Sequence, residues 1–199
     1  MKVKDEYIKP LWTSITRMPY LSMLTIISYA KEEVLNLEML HTLPNLDYLY
    51  LKGKLQGGVL PPIFASLTEL QDLRMGWSRM QTDPMPSFSH MLNLVQLHLY
   101  RVYEGQMMTF RGGRFPKLKK LYLADMEQLS AIEMEAGTMQ TINYVKLIGL
   151  RSMLAVPSGF QYLPSLQEMV LLDMPEEFME RLRGQDSVYI QLIVRSCCT

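Results

Sequence analysis

Cysteine is nearly absent from this chain of 199 residues, and the only two, Cys197 and Cys198, are neighbours close to its end. Adjacent cysteines close no useful loop, so they cannot staple a fold. Secreted domains commonly rely on such staples, and the count therefore favours a reducing compartment. An excess of charge is also missing: Lys plus Arg number 20, as do Asp plus Glu. A nucleic-acid partner usually demands a strong basic surplus, so none is expected. Lys2, Lys4, Asp5, Glu6, Lys9 and Arg17 interrupt the first 30 residues, leaving no secretory signal. No run approaches the about 18 apolar residues that a membrane helix needs. The expectation is a cytoplasmic chain without a membrane span.

Catalytic patterns are missing as well. The chain has no phosphate-loop G-x-x-x-x-G-K-[ST], no G-x-S-x-G and no H-E-x-x-H. His41, His90 and His98 lie far apart, without metal-ligand spacing. The acidic neighbours Glu133 and Glu135, and Glu176 and Glu177, are of an ordinary solvated kind. The chain is expected to be no enzyme, and to hold neither metal nor cofactor.

What is present is a period. Around Phe115-Pro-Lys-Leu118-Lys-Lys-Leu121-Tyr-Leu123 the leucines fall as L-x-x-L-x-L, and the first of them has equivalents at Leu21, Leu46, Leu70, Leu94, Ile142 and Leu166. The first interval is 25 residues and each later one 24. The other two anchors keep step, at Leu24/Ile26, Leu49/Leu51, Leu73/Met75, Leu97/Leu99, Leu121/Leu123, Val145/Leu147 and Met169/Leu171. Self-similarity at this spacing is the mark of a leucine-rich repeat solenoid, an α/β horseshoe. Seven to eight short strands should form a parallel sheet on its concave face, with loops and short helices on the convex face. Apolar residues are 48% of the chain, enough to bury a core along its whole length.

Taken as one repeat domain over 1–199, the chain divides into a return helix of a truncated repeat (10–18), repeats (19–174), and a terminal helix and strand (175–195). Residues 1–18 show no polar cap, which leads us to expect further repeats upstream. Glycines such as Gly53, Gly76 and Gly149 mark the loops after the strands, and prolines such as Pro44, Pro116 and Pro164 mark the returns. An asparagine commonly satisfies the turn after the strand, but here that position holds Tyr29, Lys54, Ser78, Val102, Met126, Leu150 and Met174. Water or other side chains are expected to serve those turns, with irregular curvature as the result. Pro175 to Gly184 has acids early, arginines late and a glycine after, which predicts a helix with a glycine C-cap. Val188 to Val194 alternates as a strand, and should continue the sheet with Leu192 and Val194 beside Met169 and Leu171.

Side chains alternate along a strand, so the residues between the leucines face the concave side. They form columns roughly 30 Å long at about 4.8 Å per strand. The candidate protein-binding residues lie in them: Tyr48, Tyr50, Lys52, Arg74, Gln96, His98, Tyr100, Lys120, Tyr122, Tyr144 and Lys146. Tyrosine and arginine are the types enriched at interfaces, although tyrosine also favours strands for packing alone. Ile148, Val170 and Leu172 make the far end of the face apolar. Arg111, Arg114, Lys117, Lys119 and Lys120 cluster near the fifth strand, where a solvated edge is the expected reading. Trp77 is expected to anchor its loop against Pro84, and most of the 17 methionines to fill gaps in the core.

Some stretches go beyond a generic repeat. Leu49-Tyr-Leu-Lys-Gly-Lys-Leu55-Gln-Gly-Gly-Val-Leu-Pro61, Tyr103 to Phe110 with Gly113 to Leu121, Val156-Pro-Ser-Gly159, and Glu177 to Leu182 with Gly184 and Asp186 resemble the C-terminal repeats of coiled-coil-class NLR immune receptors of plants, cereals especially. The resemblance covers about residues 10–195. It implies a role in innate immunity, in which the repeats help to hold a nucleotide-binding switch at rest and recognise a pathogen effector or a guarded host protein. ADP or ATP would belong to that switch module, whose motifs no residue here matches. The rival readings are a scaffold or ubiquitin-ligase substrate adaptor unrelated to immunity, which would need a docking helix pair upstream, and a secreted enzyme inhibitor, which would need a signal and capping disulfides.

Overall fold

The computed structural model describes residues 14–15, 17–28, 34–35, 37, 40, 43 and 45–184, and the backbone of 193–196. Each repeat enters the sheet through one recurring turn. The amide of the marker residue donates to the carbonyl three residues earlier, as in Leu46 to Leu43 (3.3 Å), Leu70 to Leu67 (3.3 Å), Leu118 to Phe115 (3.2 Å) and Ile142 to Met139 (3.0 Å). The turn directs the marker inward. Leu46, Leu70, Leu94, Leu118 and Ile142 are all buried.

Five-residue strands follow from these turns: β1 (Met23–Ile27), β3 (Tyr48–Lys52), β5 (Asp72–Gly76), β6 (Gln96–Tyr100), β8 (Lys120–Ala124), β10 (Tyr144–Ile148) and β11 (Glu168–Leu172). With β12 (Ile193–Ser196) they form one parallel sheet of eight strands among the described residues, in the order β1-β3-β5-β6-β8-β10-β11-β12. Leu49 pairs with Leu73, Leu73 with Leu97, Leu97 with Leu121, and Leu121 with Val145. The inward positions of the middle strands are fully buried, whereas Leu24 and Ile26 of the edge strand are only partly so. A repeat buries its flat sides against its neighbours.

Two expectations near the end need correction. Met169 pairs with Val194 and Leu171 with Ser196, two residues out of step with the expected pairing of Leu171 with Val194. Leu192 lies outside the described residues. A shift of two keeps every side chain on its face, so the alternation of Val188 to Val194 could not set the register. The helix Glu176–Arg183 forms where the acid-to-base polarity places it, with Phe178 and Leu182 buried and Arg181 paired to Glu177 at 2.6 Å. Gly184 closes it at φ −89°, however, not in a left-handed cap. Of the 10–18 helix, positions 10–13 and 16 lie outside the described residues, as do Cys197, Cys198 and Tyr29.

The turns after the strands use the backbone itself. Gly53, Trp77, Arg101, Asp125 and Gly149 each donate a backbone amide to the next repeat, to Gly76, Tyr100, Ala124, Ile148 and Leu172, at 2.9 to 3.0 Å. All five have positive φ, Trp77 at 62°, Arg101 at 52° and Asp125 at 51°. A left-handed backbone ladder thus does the work of an asparagine column, at a conformational cost for each non-glycine residue. The former asparagine position is free to become core, and Val102, Met126 and Leu150 are buried there. A second ladder lies at the strand entrances, where side chains reach back one repeat: Asn45 to the Pro19 carbonyl, Asn93 to Thr68, Thr141 to Pro116 and Ser165 to Gln140. Short polar residues at 45, 93, 141 and 165 carried that signal in the sequence, at multiples of the same period.

Among the described residues outside the main sheet lie 3-10 turns at Gln56–Gly58, Pro62–Ser66 and Phe160–Tyr162, an α turn at Met85–Phe88, and a short parallel pair, β2 (Val34–Leu35) with β4 (Lys54–Leu55). A longer parallel pair, β7 (Met107–Phe110) with β9 (Ala131–Met134), was not anticipated. Its buried residues, Met108, Phe110, Ile132 and Met134, alternate just as strand residues should. Asp83 ties this layer together, its carboxylate accepting from the amides of Met85 (3.0 Å) and Thr109 (2.9 Å).

Replacing Leu121, which has no accessible surface, by aspartate should unfold the middle of the array. An unpaired carboxylate there costs several kcal/mol, a large share of the roughly 5–15 kcal/mol that stabilises an ordinary domain. Thermal denaturation followed by circular dichroism checks this, and an unchanged melting temperature would refute the inward placement.

Candidate functional site

The strand pairings align the outward residues as continuous columns. Tyr48, Asp72, Gln96, Lys120, Tyr144 and Glu168 form the first, and Tyr50, Arg74, His98, Tyr122, Lys146 and Val170 the second. Lys52, Gly76, Tyr100, Ala124, Ile148 and Leu172 form the third. All eleven candidate residues therefore share one face. Tyr100 and Lys120 are exposed, and the other nine are half-buried by their lateral neighbours.

Within the columns the side chains bind one another along the sheet. Arg74 grips Asp72 through two hydrogen bonds, Nε to Oδ1 at 3.0 Å and Nη2 to Oδ2 at 2.9 Å. Its guanidinium also sits 5.3 Å from the centre of the Tyr48 ring. His98 stacks on Tyr122 at 3.8 Å with an interplanar angle of 11°, and Tyr122 meets Tyr144 at 5.2 Å. Parallel strands set this spacing, since in-register side chains are a strand separation apart and flat rings fill it well. The residues Tyr48, Arg74, His98, Tyr122 and Tyr144 make a pre-ordered strip across five strands. A partner meeting it need not freeze many rotamers.

Electrostatics follow from this packing. Burial, then the positive charge of Arg74, pushes the His98 imidazole down to about 4, with Lys120 adding to the effect and Asp72 opposing it. His98 is thus neutral at ordinary pH, and its Nε2 is buried without a hydrogen-bond partner. Burial, then Tyr144, raises the Tyr122 hydroxyl above its usual range, and burial followed by a hydrogen bond to Asp125 raises that of Tyr100. These phenols remain protonated donors. A notch of about 320 Å³ opens over Gly76, between Tyr48, Tyr50, Arg74, His98 and Tyr100.

The rim past the strand ends is built differently. Trp77 is half-buried, meeting Tyr100 edge-on at 5.6 Å and lying under the Arg101 guanidinium at 4.6 Å. That aromatic and cationic packing holds it. Arg101 in turn pairs with Asp125 at 3.3 Å, and a groove of about 360 Å³ runs between Trp77, Arg79, Tyr103, Glu104 and Glu127. Sequence reasoning missed this rim, because its residues are brought together by left-handed turns that no local motif announces. The basic cluster is divided: Arg111 pairs with Glu135 at 3.6 Å, Lys117 bonds Asn93 at 2.6 Å, and Lys120 stands on the concave face. At the apolar end Val170 is buried, while Ile148 and Leu172 are half-buried. Among the described residues no group of three or more His, Cys, Asp or Glu is placed to hold a metal ion, and no helix is long and apolar enough to cross a membrane.

The burial of neutral His98 sets a pH dependence. The unfolded chain protonates this residue near 6.5, the folded protein only near 4, so its contribution to stability is complete above pH 6.5 and is lost as pH falls towards 4. His98→Gln should flatten the slope of unfolding free energy against pH in that window. Urea titrations from pH 4 to 7.5 check it, and an unchanged slope would place His98 in water.

No protein-family model matches the chain. It is 30% identical over 186 residues to the disease resistance protein RPM1 of Arabidopsis thaliana, an alignment that covers 94% of this chain and 20% of that protein. It is also 30% identical over 159 residues to the disease resistance RPP8-like protein 3 of the same plant, covering 74% of this chain and 17% of the relative. The chain thus spans about a fifth or less of the length of these curated relatives. Among solved structures, an internalin from Listeria monocytogenes superposes with a TM-score of 0.50 at 13% identity, covering 85% of this chain and 55% of that one. That likeness concerns the fold alone. The chain is a leucine-rich repeat solenoid, and its sequence relatives are plant disease resistance proteins.

Proposed function

We propose that this chain is the interaction and restraint region of an intracellular plant immune receptor of the coiled-coil NLR class, of the kind found in cereals. The similarity to a disease resistance protein over 94% of the chain carries this reading. The pre-ordered aromatic strip on the concave face supports it from the physical side. In this reading the receptor is cytoplasmic and the repeats perform no catalysis. ADP or ATP is held by a separate nucleotide-binding module, which the repeats contact in the resting state.

Recognition then works through a difference in binding energy. A pathogen effector or a guarded host protein competes for the face that restrains the switch, and shifts the equilibrium only by its differential affinity for the two states. Tyr50, Arg74, His98 and Tyr122 are adjacent members of one column and supply part of either contact.

The test uses the full-length receptor that contains this chain, expressed in leaf tissue. Alanine at Tyr50, Arg74, His98 and Tyr122 together should abolish the response to the matching effector or release cell death without one. If both response and resting silence are unchanged, the concave face has neither role. An upstream sequence that encodes a docking helix pair in place of a nucleotide-binding module would turn the reading to a substrate adaptor outside immunity.

A further inference from the structure

We propose that the notch over Gly76 is a socket for one aromatic side chain of a partner protein, and that the same partner segment carries acidic residues for Lys120 and Lys146. The inference rests on the reading of the concave face as a contact surface, and it specifies the chemistry of what binds there.

The socket exists because one residue of the third column is a glycine. Its neighbours in the sheet are Lys52 and Tyr100. A Cβ on Gly76 would come no nearer than 3.7 Å to the Tyr100 carbonyl, 3.8 Å to Lys52 and 3.9 Å to the Tyr100 ring, all ordinary contacts. Neither crowding nor left-handed backbone therefore demands glycine here, unlike Gly149, whose φ is 60°. The space that remains, about 320 Å³, is lined by Tyr48, Tyr50, Arg74, Met75, His98 and Tyr100 around Gly76. Rings on several sides offer edge and face contacts to a further ring.

Tyrosine walls also suit a cation, so charge must decide. Arg74 and Lys52 stand at this socket, and only Arg74 is neutralised, by Asp72. Burial is the main reason that His98 resists protonation, with Arg74 and Lys120 adding to it and Asp72 opposing it. A lysine or arginine entering the notch would be repelled by Lys52 beside it, whereas a neutral ring would not. Further along the face, Lys52, Lys120 and Lys146 have no ion pair among the described residues, and the only carboxylates in the columns from β3 to β11 are Asp72 and Glu168. Four cations against two anions leave the strip basic in a chain whose net charge is zero. The surplus is local to this face, and it complements an acidic partner.

The strand order sets a spacing. β8 lies two strands from β5 and β10 lies three, and Lys120 and Lys146 stand four and two residues back along their strands from the row of Gly76, so both are about 16 Å from the socket. An extended segment covers about 3.3 Å per residue, so the acids should fall about five residues from the aromatic anchor.

The experiment pans a random peptide library displayed on yeast against the purified chain, then measures the enriched peptides by fluorescence anisotropy. Enriched sequences should pair Trp, Phe or Tyr with Asp or Glu about five positions away. Gly76→Leu, which plugs the notch, should weaken them at least tenfold, and the surface triple variant K52E/K120E/K146E should do the same at low salt, less so as salt rises. Circular dichroism confirms that each variant is folded. Should Gly76→Leu fail to fold, the triple variant, with Tyr100→Ala in the socket wall, carries the test. Enrichment of basic peptides, no enrichment, or affinities indifferent to both changes would overturn the proposal. In the full-length receptor, an effector response lost with the four-alanine variant but kept with both Gly76→Leu and the triple variant would reject the socket alone. Indifference to all three would reject the contact surface as well.

Discussion

Everything in this structure depends on repeats burying their leucines against those of the next repeat while parallel strands hold them in register. Leu49, Leu73, Leu97, Leu121 and Val145 form one buried column, and none has accessible surface. A single repeat has no other repeat against which to hide these groups, so stability is shared between neighbours.

The same constraint generates the functional face. Once inward positions are in register, outward positions must be in register too, because side chains alternate with a period of two. Tyrosine, arginine and histidine placed at those positions are stacked whether or not any partner is present. The concave strip is a by-product of core alignment, and its composition is what distinguishes it. Asp72 neutralising Arg74, His98 held neutral against Tyr122, and Gly76 leaving a gap beside Tyr100 are local features on a surface that the core has already ordered.

The repeats are joined outside the sheet by two ladders of different kind. At the strand entrances, Asn45, Asn93, Thr141 and Ser165 reach back to carbonyls one repeat earlier. At the strand exits, backbone amides of left-handed residues do so in the other direction. This second device frees Val102, Met126 and Leu150 to be core residues. It also brings Trp77, Arg101 and Asp125 together on the rim, where cation and ring are in contact.

The sequence alone determined the solenoid, the strands of the main sheet and the identity of its concave columns, because leucine periodicity and the two-residue alternation act locally and repeat. It also showed the terminal helix, whose acids and arginines mark its polarity. Tertiary structure decided what depends on distance between repeats. The register of β12 needed pairing to settle it, since an alternating segment fits equally well two residues along. The left-handed exits and the groove beside Trp77 depend on conformations that ordinary residues adopt only when neighbouring carbonyls reward them. The stack of His98 on Tyr122 and the open space over Gly76 arise from side chains 24 residues apart or more, and no window of sequence contains both partners.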